Sequence, residues 1–183
     1  MNHKPVSSAL SPEYVLLGFL TQRPAHGYDL HDQIHRELGQ IWHISLSQTY
    51  NILKRLEAKG FIVGVVQEQA KAPARRHFRL TSLGRRRFEQ WLKTPSEPSA
   101  RAIRVEFLTR LYFSYISDQQ TALNLIEAQI EATRSAVSNL TAMLGELPTE
   151  QVFNQLGLDL RLRQLTSVLD WLTECRSVLG FES

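Results

Sequence analysis

The chain has 183 residues, of which 43% are hydrophobic and 21% are charged. This composition is typical of a soluble globular protein, and the length is sufficient for one or two small domains with hydrophobic cores. The apolar runs are too short for a bilayer-spanning helix, and the first residues lack the pattern of a secretory signal. A single cysteine, Cys175, excludes an internal disulfide and a cysteine metal cage. We therefore expect a cytoplasmic protein without membrane association, in which Cys175 is a buried small hydrophobic residue.

The formal net charge of +3 hides a division between the two halves of the chain. Residues 1–95 carry 14 Lys or Arg against 7 Asp or Glu, a net charge of +7. Residues 96–183 carry 7 against 11, a net charge of −4. Such an asymmetry indicates that one half meets a polyanion such as nucleic acid, and two solvated surfaces that differ by chance are the alternative.

Residues 1–95 begin with three predicted helices. The first covers about Ser11 to Thr21 and the second about Gly27 to Leu38, each with apolar residues at helical spacing. Gly39 is expected as the C-terminal cap of the second helix. The third helix has the clearest start, because Ser45 and Gln48 have the spacing of a capping box. It is expected to end at Gly60, a residue that adopts a left-handed conformation easily.

A hairpin and a fourth helix follow. The β-branched run at residues 61–66 predicts one strand, and His77–Leu80 predicts the returning strand. Ala70–Arg76, which is polar and basic and contains Pro73, is interpreted as the loop between them. Thr81 can cap the fourth helix. Three helices followed by a two-stranded hairpin describe a winged helix-turn-helix, in which the third helix and the hairpin tip are exposed to DNA.

On a helical wheel, the third helix separates into an apolar and a polar face. The apolar face, which must be core, consists of Thr49, Ile52, Leu53 and Leu56. On the polar face, the residues nearest the N-terminus are the candidates for contacts with base edges, because Asn and Gln can pair with adenine through two hydrogen bonds. These candidates are Ser47, Gln48 and Asn51. The candidates for phosphate contacts are Tyr50, Lys54 and Arg55. A merely solvated polar face is the alternative.

The predicted hairpin tip supplies a second cationic group, which suits a wing that lies along a phosphate backbone or enters a minor groove. Its members are Lys71, Arg75 and Arg76, and His77 follows at the start of the returning strand. With Ser45 at the start of the third helix, these residues and the polar face complete the predicted DNA-binding set. Arg85, Arg86 and Arg87 form another basic run, but they point in different directions on a helix and are interpreted as mostly solvated.

Three stretches of the sequence stand out together: the His-Gly-Tyr-Asp-Leu of residues 26–30, the Ser-Gln-Thr-Tyr-Asn-Ile-Leu-Lys-Arg-Leu-Glu-Ala-Lys-Gly-Phe-Ile of residues 47–62, and the Arg-Arg-His-Phe-Arg-Leu-Thr-Ser-Leu-Gly of residues 75–84. These stretches resemble the PadR-type transcriptional regulators. They occur in the order in which that family has its second helix, third helix and wing. Asn51 stands where the family often has proline, and His77-Phe78 where it commonly has two aromatic residues. The substitution at 51 implies a different base preference.

The resemblance implies a homodimeric regulator, commonly a repressor, that binds an inverted-repeat operator in double-stranded DNA. The long C-terminal region is similar to that of the virulence-activator subgroup, some members of which activate, so both signs of regulation stay open. Some relatives respond to phenolic acids or drugs, and a small aromatic effector is therefore a candidate partner.

The prolines in Thr94–Ser99 mark a boundary between residues 1–95, the expected DNA-binding domain, and residues 96–183, an expected helical dimerisation domain. One amphipathic helix is predicted over residues 101–116. Ser117 or Asp118 can cap a second helix, which Pro148 ends, and a third runs from about Thr149 to Leu179. The last two helices carry apolar heptads and therefore need partners, within one chain or in a second chain. The residues assigned to dimerisation are Leu123, Ile126, Ile130, Val137, Leu140, Leu144, Leu158, Leu162, Leu165, Leu169 and Leu172.

Individual residues also suggest three other functions. His31 and His35 have the i, i+4 spacing of two zinc ligands, but no third ligand is evident, so no catalytic, cofactor or metal site is assigned. Aromatic residues could line a pocket for an effector: Trp42, Phe107, Tyr112, Phe113, Tyr115 and Trp171. A protein-interaction module that uses its heptad helices and never meets DNA is the remaining alternative.

Overall fold

The structure is a computed structural model that describes residues 11–69 and 72–181, and these residues divide into two units between Thr94 and Pro95. The N-terminal unit contains, in chain order, α1 (Glu13–Gln22), β1 (Ala25–His26), α2 (Gly27–Leu38), α3 (Leu46–Ala58), β2 (Ile62–Gln69), β3 (Ala72–Leu80) and α4 (Ser82–Lys93). The predicted mainly helical fold, a winged helix-turn-helix followed by a helical region, is confirmed.

The sheet has three antiparallel strands in the order β1-β3-β2, and not the two that were predicted. The third strand, β1, places Ala25 opposite Phe78. It was missed because two residues after a proline show no alternation that a sequence pattern could reveal.

The strands of the wing are longer than predicted, because Ala72–Arg76 belongs to β3 and not to a loop. Pro73 suggested a loop, since proline cannot donate a hydrogen bond to a strand ladder. The structure accommodates it where the β2–β3 register shifts, between Gln67 and Gln69, so no regular ladder is required there.

The core of the N-terminal unit lies between α1, α2, α3 and the sheet. Helix α1 is buried around most of its circumference, since every residue from Val15 to Leu20 is buried. Helices α2 and α3 each bury a single face, through Leu30 and Ile34 on α2 and Leu53 and Leu56 on α3. Burying an aliphatic side chain contributes about 1.5–3 kcal/mol, so this core holds one face of α3 in place and leaves the other exposed.

Arg87 is the exception to the interpretation of the basic run as mostly solvated surface. Its guanidinium carbon lies 4.9 Å from the ring centre of Phe61 and 5.5 Å from that of Tyr14, a cation–π arrangement. Tyr14 in turn stacks on Trp91 with ring centres 4.5 Å apart. Arg87 therefore joins α4 to α1 and to the start of β2, whereas its two neighbours at 85 and 86 are exposed.

Three glycines at the ends of helices serve different purposes. Gly60 has φ +71°, the left-handed conformation expected after α3. Gly39 was expected to be similar, but its φ is −63°. Glycine is needed there because a Cβ atom would overlap the carbonyl oxygen of His35. At Gly84, a Cβ atom would overlap the carbonyl oxygen of Phe61, so glycine allows α4 to pack directly on the chain that enters β2.

The C-terminal unit is helical. Its elements are α5 (Ala100–Ala102), a π-helical turn (Ile103–Phe107), α6 (Leu108–Ser117), α7 (Gln119–Glu146) and α8 (Val152–Val178). The predicted helix at residues 101–116 is thus interrupted by a wider turn. The carbonyl oxygen of Val105 in this turn accepts a hydrogen bond from the Thr109 hydroxyl at 2.6 Å. Within the residues described, no helix combines the length and the apolar character needed to cross a membrane.

Asp118 caps α7, which is one of the two alternatives that the sequence predicted. Its carboxylate accepts a hydrogen bond from the Thr121 backbone N–H at 2.7 Å. Hydrogen bonds from the Thr121 hydroxyl and from that N–H hold the pKa of Asp118 below its usual value. At the other end, α7 stops at Glu146, two residues before Pro148, in agreement with the prediction.

The heptad residues require a correction, because five of those assigned to dimerisation are buried within a single chain. Ile126, Ile130 and Leu172 lie in one core with Phe107 and Cys175. The other two heptad residues that are buried in this way are Leu140 and Leu165. Side chains already buried between α7 and α8 have little or no surface left for a second chain. A heptad pattern does not distinguish an intramolecular helix pair from an intermolecular one.

Six heptad residues keep part of their surface exposed and are still available to a second chain. They are Leu123, Val137, Leu144, Leu158, Leu162 and Leu169. Cys175 is buried as expected, and burial raises the pKa of its thiol to about 11, with a smaller contribution from Glu174.

The close contact at Gly84 leads to a stability prediction. Gly84→Ala should destabilise the N-terminal unit by about 1–3 kcal/mol, since the added methyl group meets a backbone carbonyl that cannot rotate away. Gly145→Ala is the matched control: nothing lies near its Cβ position on α7, and the exchange should stabilise the helix by up to about 1 kcal/mol. Urea denaturation followed by circular dichroism measures both changes, and equal effects at the two glycines would contradict the assigned contact.

Candidate nucleic-acid interface

Helix α3 begins at a capping box formed by Ser45 and Gln48. The Ser45 Oγ accepts from the Gln48 backbone N–H at 3.2 Å, and the Gln48 Oε1 accepts from the Ser45 backbone N–H at 2.8 Å. Each side chain thus satisfies a donor that the first helical turn would leave unpaired. Ser45, which the sequence placed in the DNA-binding set, is committed to the helix start. The hydrogen bond from the Ser45 backbone N–H occupies the side-chain oxygen of Gln48, so the NH₂ group of that side chain remains as the outward donor.

The two faces of α3 are those that the helical wheel predicted. Thr49, Ile52, Leu53 and Leu56 are buried. The candidates for base and phosphate contacts are all exposed, and they are Ser47, Gln48, Tyr50, Asn51, Lys54 and Arg55. A polar face of this kind, presented by a helix whose opposite face is fixed in a core, is what insertion into a major groove requires.

An open cleft of about 780 Å³ lies between α3, the start of α2 and the wing. It is lined by His26, Tyr28, Asp29, Tyr50, Asn51, Lys54, Glu57, Arg76 and Phe78. Lys54 and Arg76 face the same space from the helix and from the wing, which brings together two predicted cations that are 22 positions apart. Gly27 is part of this arrangement because a Cβ atom there would lie 2.6 Å from the Tyr50 ring.

Glu57 connects α3 to the wing through a single oxygen atom. Its Oε1 accepts from the backbone N–H of Gly64 on β2 at 2.9 Å and from Nη2 of Arg76 on β3 at 2.7 Å. Among the described residues β2 is an edge strand of the sheet, so no strand there pairs with the Gly64 N–H on that side. The guanidinium of Arg76 also lies 5.6 Å from the ring centre of Phe78. Arg76 is thus held in the middle of the wing, opposite Val66, and its side chain is half exposed.

The other predicted wing residues are placed in different ways. His77 lies opposite His26 on β1, with the two ring centres 3.5 Å apart, and the Nδ1 atom of His26 is 3.1 Å from the carbonyl oxygen of Arg76. Arg75 lies on β3 opposite Gln67. Lys71 falls outside the described residues. On α3, Arg55 approaches Glu13 of α1 at 3.7 Å, which directs part of its charge toward the protein.

Sequence reasoning left five residues of the cleft out of the DNA-binding set: His26, Tyr28, Asp29, Glu57 and Phe78. All five belong to the quoted motifs: His26, Tyr28 and Asp29 to the His-Gly-Tyr-Asp-Leu stretch, Glu57 to the long stretch of the third helix, and Phe78 to the stretch of residues 75–84. Those motifs were therefore the available signal. Glu57 was overlooked because a carboxylate is not expected on a surface that meets phosphates.

The histidine pair weighed as a zinc site lies on α2 with ring centres 4.5 Å apart. His35 Nε2 is 3.2 Å from the carbonyl oxygen of Ile44, so one of its nitrogens already has a protein partner. Among the residues described, no group of three or more His, Cys, Asp or Glu side chains is placed to hold a metal ion.

The aromatic residues considered for an effector pocket are distributed over both units. Trp42 is buried in the N-terminal unit. In the C-terminal unit, Phe107 meets Trp171 edge to face at 6.3 Å, Tyr112 meets Phe113 at 5.1 Å, and Tyr115 meets Phe181 at 6.2 Å. These pairs are contacts within the unit, of the kind that stabilises cores.

A capped helix with an exposed polar face, set beside a two-stranded wing, defines the class of winged helix-turn-helix proteins. Within that class, the chain belongs to the PadR-like transcriptional regulator family, whose model matches residues 16–90, and the family described as Virulence activator alpha C-term matches residues 103–180. A curated relative, the negative transcriptional regulator PadR of Bacillus subtilis (strain 168), is 30% identical over 128 residues, which are 70% of each chain. These relatives are transcriptional regulators and not enzymes.

Solved structures give similar matches. Bacillus subtilis PadR in complex with operator DNA is 26% identical, with a TM-score of 0.46, 92% of this chain covered and 98% of that one. A PadR-like transcriptional regulator from Bacillus cereus is 25% identical, with a TM-score of 0.44, 96% of this chain covered and 99% of that one.

The role of Glu57 can be tested on the free protein. Glu57→Ala should accelerate hydrogen exchange of the Gly64 amide roughly tenfold or more, because that N–H loses an acceptor worth about 1–3 kcal/mol. Glu89→Ala, which removes an exposed carboxylate from α4, is the matched control and should leave the Gly64 amide unchanged. Exchange rates measured by NMR decide the matter, and unaltered protection of Gly64 in Glu57→Ala would refute the connection.

Proposed function

We propose that this protein is a cytoplasmic, homodimeric transcription repressor that binds an inverted-repeat operator. The observation that carries the proposal is the exposed polar face of α3 beside a cleft into which Lys54 and Arg76 both project. The net charge of +7 on residues 1–95 supports contact with a polyanion on this side of the chain. Repression is inferred from the Bacillus subtilis relative, which is named a negative transcriptional regulator.

Different side chains are assigned to base edges and to phosphates. Asn51 is exposed in the second turn of α3, and its amide can donate to and accept from the edge of an adenine. Gln48 keeps its carbonyl oxygen in the capping box and is left to donate through its NH₂ group. Lys54 and Arg76, which flank the cleft, are assigned to phosphates, where they fix the register without reading sequence.

The dimer is inferred from an unpartnered apolar face on the first half of α8. Val152, Phe153, Leu156 and Leu160 recur at helical spacing and are all more than half exposed, with Phe153 at 88%. Exposed apolar patches of this kind indicate an interface. A second copy of the chain is the proposed occupant, because a two-fold dimer can present two α3 helices to half-sites about 34–36 Å apart.

Lys54 and Asn51 should affect DNA binding in different ways. Lys54→Ala should weaken binding to all duplexes and make the log–log dependence on salt shallower by about one unit, since one phosphate contact is lost. Asn51→Ala should instead alter the preferred sequence, with a cost of about 1–3 kcal/mol on the wild-type site. Selection of genomic fragments supplies that site, and fluorescence anisotropy over a range of salt concentrations gives both quantities.

Arg161→Ala is the matched control for these two variants, because it removes an exposed cation from α8 and should leave both quantities unchanged. Failure of the wild-type protein to enrich any sequence would refute the proposed operator recognition. An Asn51→Ala variant with the wild-type affinity and preference would refute the base-reading role of that residue alone.

The apolar face of α8 should be sensitive to charge. Phe153→Asp should raise the dimer dissociation constant at least roughly 30-fold, equivalent to about 2 kcal/mol, if Phe153 is central to the interface. Val178→Asp is the control, since this residue is 83% exposed near the other end of the same helix, 18 positions beyond Leu160. Sedimentation equilibrium measures both, and a dimer that survives Phe153→Asp unchanged would exclude this face as the interface.

A further inference from the structure

The second residue of the C-terminal unit, Ser96, is buried although its neighbours in the chain are exposed. It is 3% exposed, whereas Pro95 and Glu97 both lie on the surface. A buried serine in a proline-containing connection has no helix or strand to satisfy its backbone groups, so other partners must do so.

The side chain of Gln129, on α7, supplies partners for both backbone groups of Ser96. Its Oε1 accepts from the Ser96 N–H at 3.1 Å, and its Nε2 donates to the Ser96 carbonyl oxygen at 3.2 Å. Such a double exchange is what a residue of a neighbouring antiparallel strand provides. Gln129 has no exposed surface, so water does not compete for these bonds.

Arg110, on α6, holds the same serine from another direction. Its Nη1 donates to the Ser96 Oγ at 2.6 Å, and its Nη2 donates to Glu106 Oε1 at 2.6 Å. Arg110 and Glu106 are 1% and 3% exposed, and Glu106 lies in the π-helical turn. Burying a charged pair costs desolvation energy that an apolar core would avoid, so stability alone does not explain this cluster. Its hydrogen bonds instead define a single position for Ser96.

We propose that Gln129 and Arg110 are positioning residues that fix where the chain leaves the C-terminal unit, and that they thereby set the half-site spacing an operator must have. The inference rests on the proposed function, since it requires a dimer that contacts two half-sites. Each added base pair moves a half-site by about 3.4 Å and rotates it by roughly 35°, so a fixed exit point tolerates few spacings. If the exit point is held less firmly, the dimer can bind half-sites over a wider range of spacings.

The test compares affinities for duplexes that contain the two selected half-sites with the natural spacer or with one, two or five base pairs inserted. For the wild-type protein, a five-base-pair insertion places one half-site on the opposite face of the duplex. It should cost about 10²–10⁴ in affinity, because the gain from simultaneous binding is lost. Gln129→Leu removes both hydrogen bonds to the Ser96 backbone, and its losses with one or two inserted base pairs should be roughly tenfold smaller than those of the wild type.

Two further variants separate positioning from general destabilisation. Ile130→Ala removes core methyl groups at the next position of α7 and leaves Gln129 in place. It should therefore lower the melting temperature but keep the wild-type dependence of affinity on spacer length, which we call the spacing profile. Ser96→Ala removes only the acceptor of Arg110 Nη1 and should broaden the profile in the same direction as Gln129→Leu. If Gln129→Leu does not fold, the test relies on Ser96→Ala.

The outcomes distinguish the inference from the proposed function. A broadened profile in the Gln129 and Ser96 variants, with wild-type affinity for a duplex that contains one half-site, supports the positioning role. If both variants show the wild-type spacing profile, the positioning role is overturned and the operator proposal is unaffected. Equal broadening of the profile in Ile130→Ala has the same two consequences. If the selected fragments contain no inverted repeat, both the operator proposal and the inference that rests on it are overturned.

Discussion

One carboxylate oxygen, Oε1 of Glu57, joins α3, the helix proposed to meet DNA, to both strands of the wing of this regulator. It accepts hydrogen bonds from Gly64 on β2 and from Arg76 on β3, while the opposite face of α3 is fixed in the core by Leu53 and Leu56. The cleft between helix and wing, and the placement of Arg76 opposite Lys54, therefore depend on a residue that carries the same sign of charge as DNA.

Helix α3 was predictable because its signals are local. The capping box of Ser45 and Gln48 and the apolar spacing from Thr49 to Leu56 both act within a few residues, and the structure contains both. The sequence predicted that the wing is a hairpin but not how long its strands are. Pro73 indicates a loop as long as its place in the sheet register is unknown. The two-residue strand β1 gives no periodic pattern at all and is recognised only from its pairing with β3.

The heptads of α7 and α8 and the cluster at Ser96 show what the sequence leaves undetermined. Leucines every seven residues require a partner helix, but the pattern is the same whether that helix is in the same chain or in another. Leu165 and Leu172 are buried within the chain, whereas the exposed apolar face around Phe153 lies outside the heptads. A charged residue such as Arg110 is normally assigned to the surface of a helix, so its complete burial against Ser96 and Glu106 depends on tertiary contacts that no periodicity reveals.

The ion pairs of the N-terminal unit indicate how a strongly basic half can still be selective. Glu13 lies within 4 Å of both Arg55 and Lys59, and Glu57 pairs with Arg76, so part of the positive charge is engaged with acidic groups of the protein itself. Positive charge attracts any DNA, whereas discrimination between sequences comes from contacts that only the correct bases satisfy. Acidic side chains beside α3 weaken this general attraction, and their ion pairs hold Arg55 and Arg76 in defined positions. Glu57 acts in both ways, because the carboxylate that reduces the local positive potential is also the one that orients the wing.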